Sequence, residues 1–395
     1  MRIAHLADVH LGFRQYHRLT SNGVNQREAD VAQAFRHAID QVIEAAPEIV
    51  IVAGDLFNSV RPSNPAILHS FGLFSRLRGE LPDTPVVIVA GNHDTPRSVE
   101  TGTILKLFEA VPGVQVVAEA ARDLVFEELD LTVSCVPHQT WLSATPPTLA
   151  PRGGTAHHVL ATHGEVAGVL PRDAWALEHG GAVVEPSDLH ADEWDYVALG
   201  HYHVAHQVQK NAWYSGSLEY VSPNPWGELI DETREGREGQ KGWLLVQLGS
   251  SVKVQFRPVP LARRLIALPA IHASGLSPED INAQIRESVD AVNDGIDDQI
   301  VRQVVFEIPR PIARDLDHAM IREFKTRALH FHLDTRRPES RREIGVGAPG
   351  TRQTLGELLA DYLKRRPLDG DVDRKRLVAL GQRYMAEVEQ AMQDE

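Results

Sequence analysis

Cysteine is almost absent from this sequence: there is one, Cys135, in 395 residues. A lone thiol excludes both an internal disulfide framework and a thiolate zinc cluster. Lying in the apolar run Leu131 to Val136, Cys135 reads as a small buried hydrophobe. No apolar run approaches the roughly 20 residues that a membrane-crossing helix needs. The first residues, Met1-Arg2-Ile3-Ala4-His5, enter a strand directly, so no secretion signal and a cytoplasmic setting without membrane partners are expected. Positive charge is also scarce. The net charge is −14, whereas proteins that coat nucleic acid carry a basic footprint. Whole-chain charge is a blunt measure where acidic residues face cations, and local patches matter more. Residues 321–342 hold seven basic side chains against three acidic ones, a net of +4 whose plainest reading is a solvated surface. What remains is ordinary globular composition, 43% hydrophobic and 24% charged, in a chain long enough for two or three domains. There is no internal repeat.

The stretch that organises the chain is Gly91-Asn92-His93-Asp94, directly after the apolar run Val86-Val87-Ile88-Val89-Ala90. A β-branched run closed by a turn residue reads as a strand buried on both faces, and ligands bind at the carboxyl ends of such strands. Four other runs end the same way. Ile3 to Ala7 leads to Asp8 and His10, and Ile49 to Ala53 to Gly54-Asp55. Val159 to Ala161 leads to His163, and Tyr196 to Leu199 to Gly200-His201-Tyr202-His203.

Between these runs lie helices expected near 28–45 and 66–78, each with an apolar face, and a short one near 103–110. Strand–helix alternation implies a parallel sheet. Hairpins are expected at 124–136 and 243–257, which turns the whole into an α/β architecture: a β-sandwich with helices outside and a core shared by two sheets. Trp175, Trp194 and Trp243 are expected in or beside that core. From about residue 259 to 338 a small α/β module follows, with a helix at 278–292, a strand at 301–308, a helix at 312–324 and a strand at 328–333. Residues 338–351 read as a turn-rich linker. Two helices close the chain, with stripes Leu355, Leu358, Leu359, Tyr362, Leu363 and Leu377, Leu380, Tyr384, Val388, Met392.

Asp8 and His10 stand two apart, so on extended backbone both point one way; His201 and His203 do likewise. Asp55, Asn92 and His163 add one donor each. Two Asp, one Asn and four His exceed what one four-coordinate metal can use and suit two cations sharing a bridging carboxylate. The mixed donor set suits Mn, Fe or Zn better than Ca or Mg. Such a pair clamps both ends of an in-line displacement at phosphorus and lowers the pKa of a water held between them. His93, beside the ligand Asn92, is placed to protonate the leaving alkoxide, with Asp94 orienting its ring. Taken singly, each of these histidines is an ordinary hydrogen-bonded or surface residue, and the chain has 19. His157, His158, His206 and His272 are assigned nothing on that ground; the set of five strand ends in order is another matter.

Asp8-x-His10, Gly54-Asp55, Gly91-Asn92-His93-Asp94, His163-Gly164 and Gly200-His201-x-His203 resemble the signature of calcineurin-like metallophosphoesterases over residues 1 to about 220. The finer resemblance is to SbcD-type nuclease subunits of the double-strand-break repair complex, on Ala7-Asp8-Val9-His10-Leu11-Gly12, Gly54-Asp55-Leu56-Phe57, Arg61-Pro62-Ser63 and Tyr214-Ser215-Gly216-Ser217-Leu218-Glu219. It implies a four-layer α-β-β-α nuclease domain over 1–258, a DNA-binding capping domain over 259–338, and a linker with C-terminal helices over 339–395. The last segment would dock the coiled coil of an SbcC-type, SMC-like ATPase. It further implies one metal on Asp8, His10, Asp55 and His203 and another on Asp55, Asn92, His163 and His201, with His93 as proton donor. Manganese is the expected ion, with Mg²⁺, Fe²⁺ or Zn²⁺ as alternatives. The implied activity is exonuclease and endonuclease cleavage of DNA ends and hairpins by a homodimer. One position departs from the pattern: Asn58 replaces the His or Asp that many relatives carry after Gly-Asp-x-Phe, and a neutral amide cannot relay a proton.

The rival reading is a phosphomonoesterase or cyclic-nucleotide phosphodiesterase on the same metals. Phosphatases of the superfamily place an Arg just after the second motif; Phe57-Asn58-Ser59 offers none, and Arg61 looks a poor substitute by position. For the helix carrying Phe71 and Phe74, burial against the sheet and a dimer interface with the helix near Leu105 stand as equal expectations.

Overall fold

β-Branched runs with no polar interruption bury both faces, and here they form the middles of two stacked sheets. The computed structural model describes residues 1–96, 102–143, 147, 149–171, 174–177, 180–249, 251–338, 355–365 and 373–391. In chain order these form β1 (Arg2–Leu6), α1 (Gln26–Ala45), β2 (Ile49–Ala53), α2 (Asn64–Glu80), β3 (Val86–Val89), β4 (Val114–Val117), β5 (Arg122–Phe126), β6 (Leu131–Val136), α3 (His138–Trp141) and β7 (His157–His163). Then come β8 (Glu165–Val166), β9 (Val183–Val184), α4 (Pro186–Leu189), β10 (Tyr196–Gly200), β11 (His206–Gln209), β12 (Ala212–Tyr214), α5 (Pro225–Arg234), β13 (Gly242–Gln247) and β14 (Lys253–Pro258). The small module holds β15 (Leu265–Ala267), β16 (Ile271–His272), α6 (Pro278–Asp290), β17 (Ile300–Phe306), α7 (Arg310–Arg314), α8 (His318–Arg327) and β18 (His330–Thr335). Helices α9 (Leu355–Arg365) and α10 (Arg374–Ala391) complete the described chain.

One sheet runs β14-β13-β1-β2-β3-β4 and the other β11-β12-β10-β7-β6-β5. Strands β1 to β4 are parallel to one another, as are β6, β7, β10 and β12, while the expected hairpins β5–β6 and β13–β14 pair antiparallel. Alternation along β1 explains the layering. Ile3 and Ala7 face the second sheet, with Ile51, Val87, Val133, Ala161 and Ala198. Ala4 and Leu6 face outward to Val31, Phe35 and Phe74 of α1 and α2. A third apolar cluster, including Leu160, Val197, Leu199 and Trp194, covers the far face of the second sheet. The order of layers is therefore helix, sheet, sheet, and a covering of loops and short helices. Cys135 is buried between the sheets, and desolvation pushes its thiol well up.

Two expectations fail. Trp194 and Trp243 are buried, but Trp175 is 52% exposed. Its amide and that of Ala176 donate to Asp231 at 2.7 and 2.8 Å, which fixes a loop that turns the ring outward. The single helix expected at 312–324 is two, because the Asp317 side chain caps a fresh start at Ala319 and Met320, 2.9 and 3.0 Å away. Phe71 and Phe74 of α2 both pack on Phe108 of the short 3-10 helix Ile104–Ala110, while Leu68 and Leu107 remain exposed.

The chain divides into two compact units, Met1–Arg336 and Arg337–Glu395. In the second, α9 and α10 pack together where Gly381 lets Leu359 and Leu363 of the first stripe approach, while Tyr362, Leu380 and Tyr384 stay exposed. The linker from residue 339 on, Met392, and the side chains of Leu355, Leu358 and Val388 lie outside the described residues.

Candidate dimetal site

Parallel strands deliver their carboxyl ends to one edge, and all five sequence-nominated ends meet there. The backbone leaves ordinary conformations to aim the side chains. Asp8, His10 and Asp55 take φ of 51°, and His201 takes 111°. Left-handed backbone is costly for side-chain-bearing residues and persists where its surroundings enforce it. Here the enforcing contacts are backbone bonds: Asp8 N–H donates to the Gly54 carbonyl at 3.1 Å, and His10 N–H to the Asp55 carbonyl at 3.0 Å. Two glycines are required by close approach. A Cβ on Gly54, itself at φ 95°, would collide with the His163 ring, and one on Gly91 with the Asp55 carboxylate.

Two sets of donors result. Asp8, His10 and His203 place one ligand atom each within 4.8 Å of one another, and so do Asp55, His163 and His201. Asp55 also reaches the first set, with Oδ2 3.8 Å from His10 Nε2 and 3.2 Å from His163 Nε2. Asn92 Oδ1 lies 2.9 Å from His163 Nε2 and 3.2 Å from His201 Nδ1. Apart from Asn92 the donors are fully buried.

Burial and close pairing set the electrostatics of the pocket. Burial pushes Asp8 up to about 6. Burial would raise Asp55 as well, but the imidazoles of His163, His10 and His93 outweigh it and hold its carboxyl well below the usual range. Burial opposes charge on His163, yet Asp55 and Asp8 lift it to about 9. The Ala53 carbonyl, 2.9 Å from His163 Nδ1, accepts from that nitrogen, so Nε2 meets the Asp55 and Asn92 oxygens with either a proton or a cation between them.

The described hydrogen bonds of the Asp94 side chain run to backbone amides. Its carboxylate accepts the amides of Leu56, Phe57 and Gly91 at 3.2, 3.1 and 3.2 Å, clamping the two loops that carry Asp55 and Asn92. Burial and the charge of Asp55 push it up to about 7 against those donors. The His93 ring is instead held through Nδ1, 2.8 Å from the Asn58 carbonyl, and its amide donates to Asp55 Oδ1 at 2.8 Å. Position 58 thus serves His93 through its main chain, which any residue there supplies.

Sequence reasoning missed three contributors. Glu228 on α5 faces His203 Nδ1 at 3.8 Å, pairs with buried Lys241 and accepts the Ser222 amide at 2.9 Å. Nothing in the sequence separates this glutamate from its helix neighbours. Arg61, set aside on position alone, lines a cleft of about 1300 Å³ together with Asn58, Asn92 and His93. His138 lines the same cleft. It follows Pro137 at the end of the apolar run of β6, a sixth instance of the strand-end pattern that nominated the others. Burial and the neighbouring His163 hold its imidazole down at about 4.

A family model for the calcineurin-like phosphoesterases matches residues 1–205. The chain belongs to that family. Relatives described as DNA double-strand break repair protein Mre11 include one from Sulfolobus acidocaldarius, 24% identical over 92% of this chain and 90% of its own. Another, from Methanocaldococcus jannaschii, is 28% identical over 64% of this chain and 63% of its own. Among solved structures, a dimetal phosphatase from Danio rerio covers 65% of this chain and 96% of its own at 11% identity and a TM-score of 0.33. The family implies divalent metal ions, and the two donor sets sharing Asp55 fit them in chemistry and spacing. No described helix is long and apolar enough to cross a membrane.

Proposed function

We propose that this chain is a dimetal-dependent phosphodiester hydrolase of DNA, an exonuclease and endonuclease that processes ends and hairpins in DNA double-strand-break repair and recombination. The convergence of Asp8, His10, Asp55, Asn92, His163, His201 and His203 on one edge of two sheets carries the reading. The full-length similarity to an Mre11 protein supports DNA as substrate. The ligand division is that expected from the resemblance, with Asp55 bridging; manganese is the proposed ion. When bound, the two ions would supply Lewis-acid charge at the phosphoryl oxygens and activate a water for attack. The residues do the rest. With His93 Nδ1–H donated to the Asn58 carbonyl, Nε2 would be the nitrogen that gives its proton to the leaving alkoxide. Asp94 keeps the Asp55 and Asn92 loops in register, and Glu228 sets a carboxylate 3.8 Å from the outer nitrogen of His203.

The module over 259–338 is proposed as a DNA-binding cap and the helices of 339–395 as the dock for an SMC-like ATPase of the SbcC type. Leu68 and Leu107, exposed beside half-buried Phe71, support a homodimer contact. A cytoplasmic setting goes with this reading. Arg61 in the cleft favours a second reading, a phosphomonoesterase. One experiment separates them: purified protein with Mn²⁺ is offered linear DNA, hairpin DNA and a generic phosphomonoester, with and without the ATPase. Cleavage of DNA with the monoester untouched is expected. Turnover of the monoester alone sinks the nuclease reading.

A further inference from the structure

His138 lines the cleft and has no task in the chemistry above. Its main chain is pinned by donation from its amide to the Ala90 carbonyl at 3.0 Å, which ties the end of β6 to the residue just before Gly91. Its ring is pinned too. The Ala182 amide donates to Nδ1 at 3.4 Å, so in the neutral ring Nδ1 is the acceptor and Nε2 carries the hydrogen. Among the described residues Nε2 has no hydrogen-bond partner. It is also not among the sealed polar atoms, although the residue is only 4% exposed. His138 therefore presents a single oriented N–H from a buried ring at the wall of the cleft, edge-on to His163 with ring centroids 6.4 Å apart.

We propose that His138 Nε2–H is a substrate-binding donor that receives a non-bridging oxygen of the phosphoryl group being cut. The placement suits that task. A preorganised donor in a partly dry cleft is worth more than one in water and needs no rearrangement during reaction. A neutral donor adds no positive charge beside a site built for cations, where a lysine or arginine would compete with them. The donor also stands at the strand end next to that of His163, within reach of phosphate oxygens drawn to the second donor set. The inference rests on the proposed phosphoryl chemistry of this site, but not on the phosphate belonging to DNA.

The test compares the wild type with His138→Leu and His138→Gln, all loaded with Mn²⁺, by two readouts. Calorimetric titration with inorganic phosphate is expected to give a Kd about 10- to 100-fold weaker for His138→Leu, the range for a lost hydrogen bond to a charged oxygen. His138→Gln, whose amide N–H sits near the same place, should recover most of that loss. On DNA containing a single phosphorothioate, the wild type should discriminate between the two diastereomers and His138→Leu should lose that discrimination. Metal analysis must return two ions in each protein; loss of an ion from His138→Leu would make the residue part of the metal shell and overturn the proposal. Equal phosphate affinity in all three proteins overturns it as well. If phosphate binding weakens as expected while the wild type leaves DNA intact, the DNA assignment falls and the role of His138 stands.

Discussion

At the scale of single residues, the proposed chemistry divides side chains that hold charge from one that moves a proton. His93 stands at the border, because its ring also falls within 4.8 Å of donors on His10 and Asp55. His93→Ala is expected to keep two metal ions per chain and to lower turnover by about 100- to 10,000-fold, the usual worth of a positioned acid. Metal analysis and single-turnover cleavage check it, and loss of one ion would make His93 a ligand instead. Asp55→Ala should empty both positions at once, since Asp55 Oδ2 lies near imidazoles of both sets; retention of one tightly held ion would refute the bridging role. Most of this was legible because strand ends announce themselves as apolar runs closed by polar residues. Asp94 was not. Adjacency to His93 suggested a partnership, but a one-residue step around a tight turn sends the carboxylate back to the Leu56 and Phe57 amides. Glu228 was invisible for a related reason: its partner His203 is 25 positions away by number and meets it only through the packing of α5.

At the scale of elements, the small module meets the rest of its unit through several contacts, among them ion pairs of Arg18 with Asp298 and Arg263 with Asp30 and one stacked aromatic pair. Tyr16, in the loop after β1, stacks on His330 of β18 with ring centroids 4.0 Å apart and planes inclined by 14°. Burial, with His332 and Lys325 nearby, pushes the His330 imidazole from its ordinary 6.5 down to about 4. Between those values the unfolded chain binds a proton that the folded chain refuses, so stability falls as pH drops through the window and is fully present above it. His330→Phe keeps a ring on Tyr16 and removes the titration. The wild type should therefore lose more stability than the variant between pH 7.5 and pH 4.5, read as the shift in urea midpoint. Equal shifts would assign the acid sensitivity to other groups. The sequence pointed to the module's strands and helices through their periodicity, but not to this contact, since a tyrosine in a polar loop carries no mark of what it will stack on.

At the scale of the whole molecule, the two units pose different demands. Met1–Arg336 contains every donor of the candidate site and four of the five apolar clusters have ten or more members, so it has the core to fold and bind metal by itself. The second unit is short. Helices of 11 and 18 residues are marginal alone in water. Their mutual contact around Gly381 leaves Tyr362, Leu380 and Tyr384 exposed, at 55%, 41% and 55%. An amphipathic pair that keeps apolar side chains in solvent gains stability by laying them on a partner helix. Deleting residues 352–395 should therefore abolish co-purification with an SMC-like ATPase while the remaining chain still binds two Mn²⁺ and nicks DNA at its basal rate. Single substitutions sharpen the test: Leu380→Glu and Tyr384→Glu, both at exposed positions, should weaken co-purification without moving the melting temperature of the first unit. Persistence of the complex in the deletion would place the docking surface on Met1–Arg336 instead, and the exposed stripe would then need another occupant.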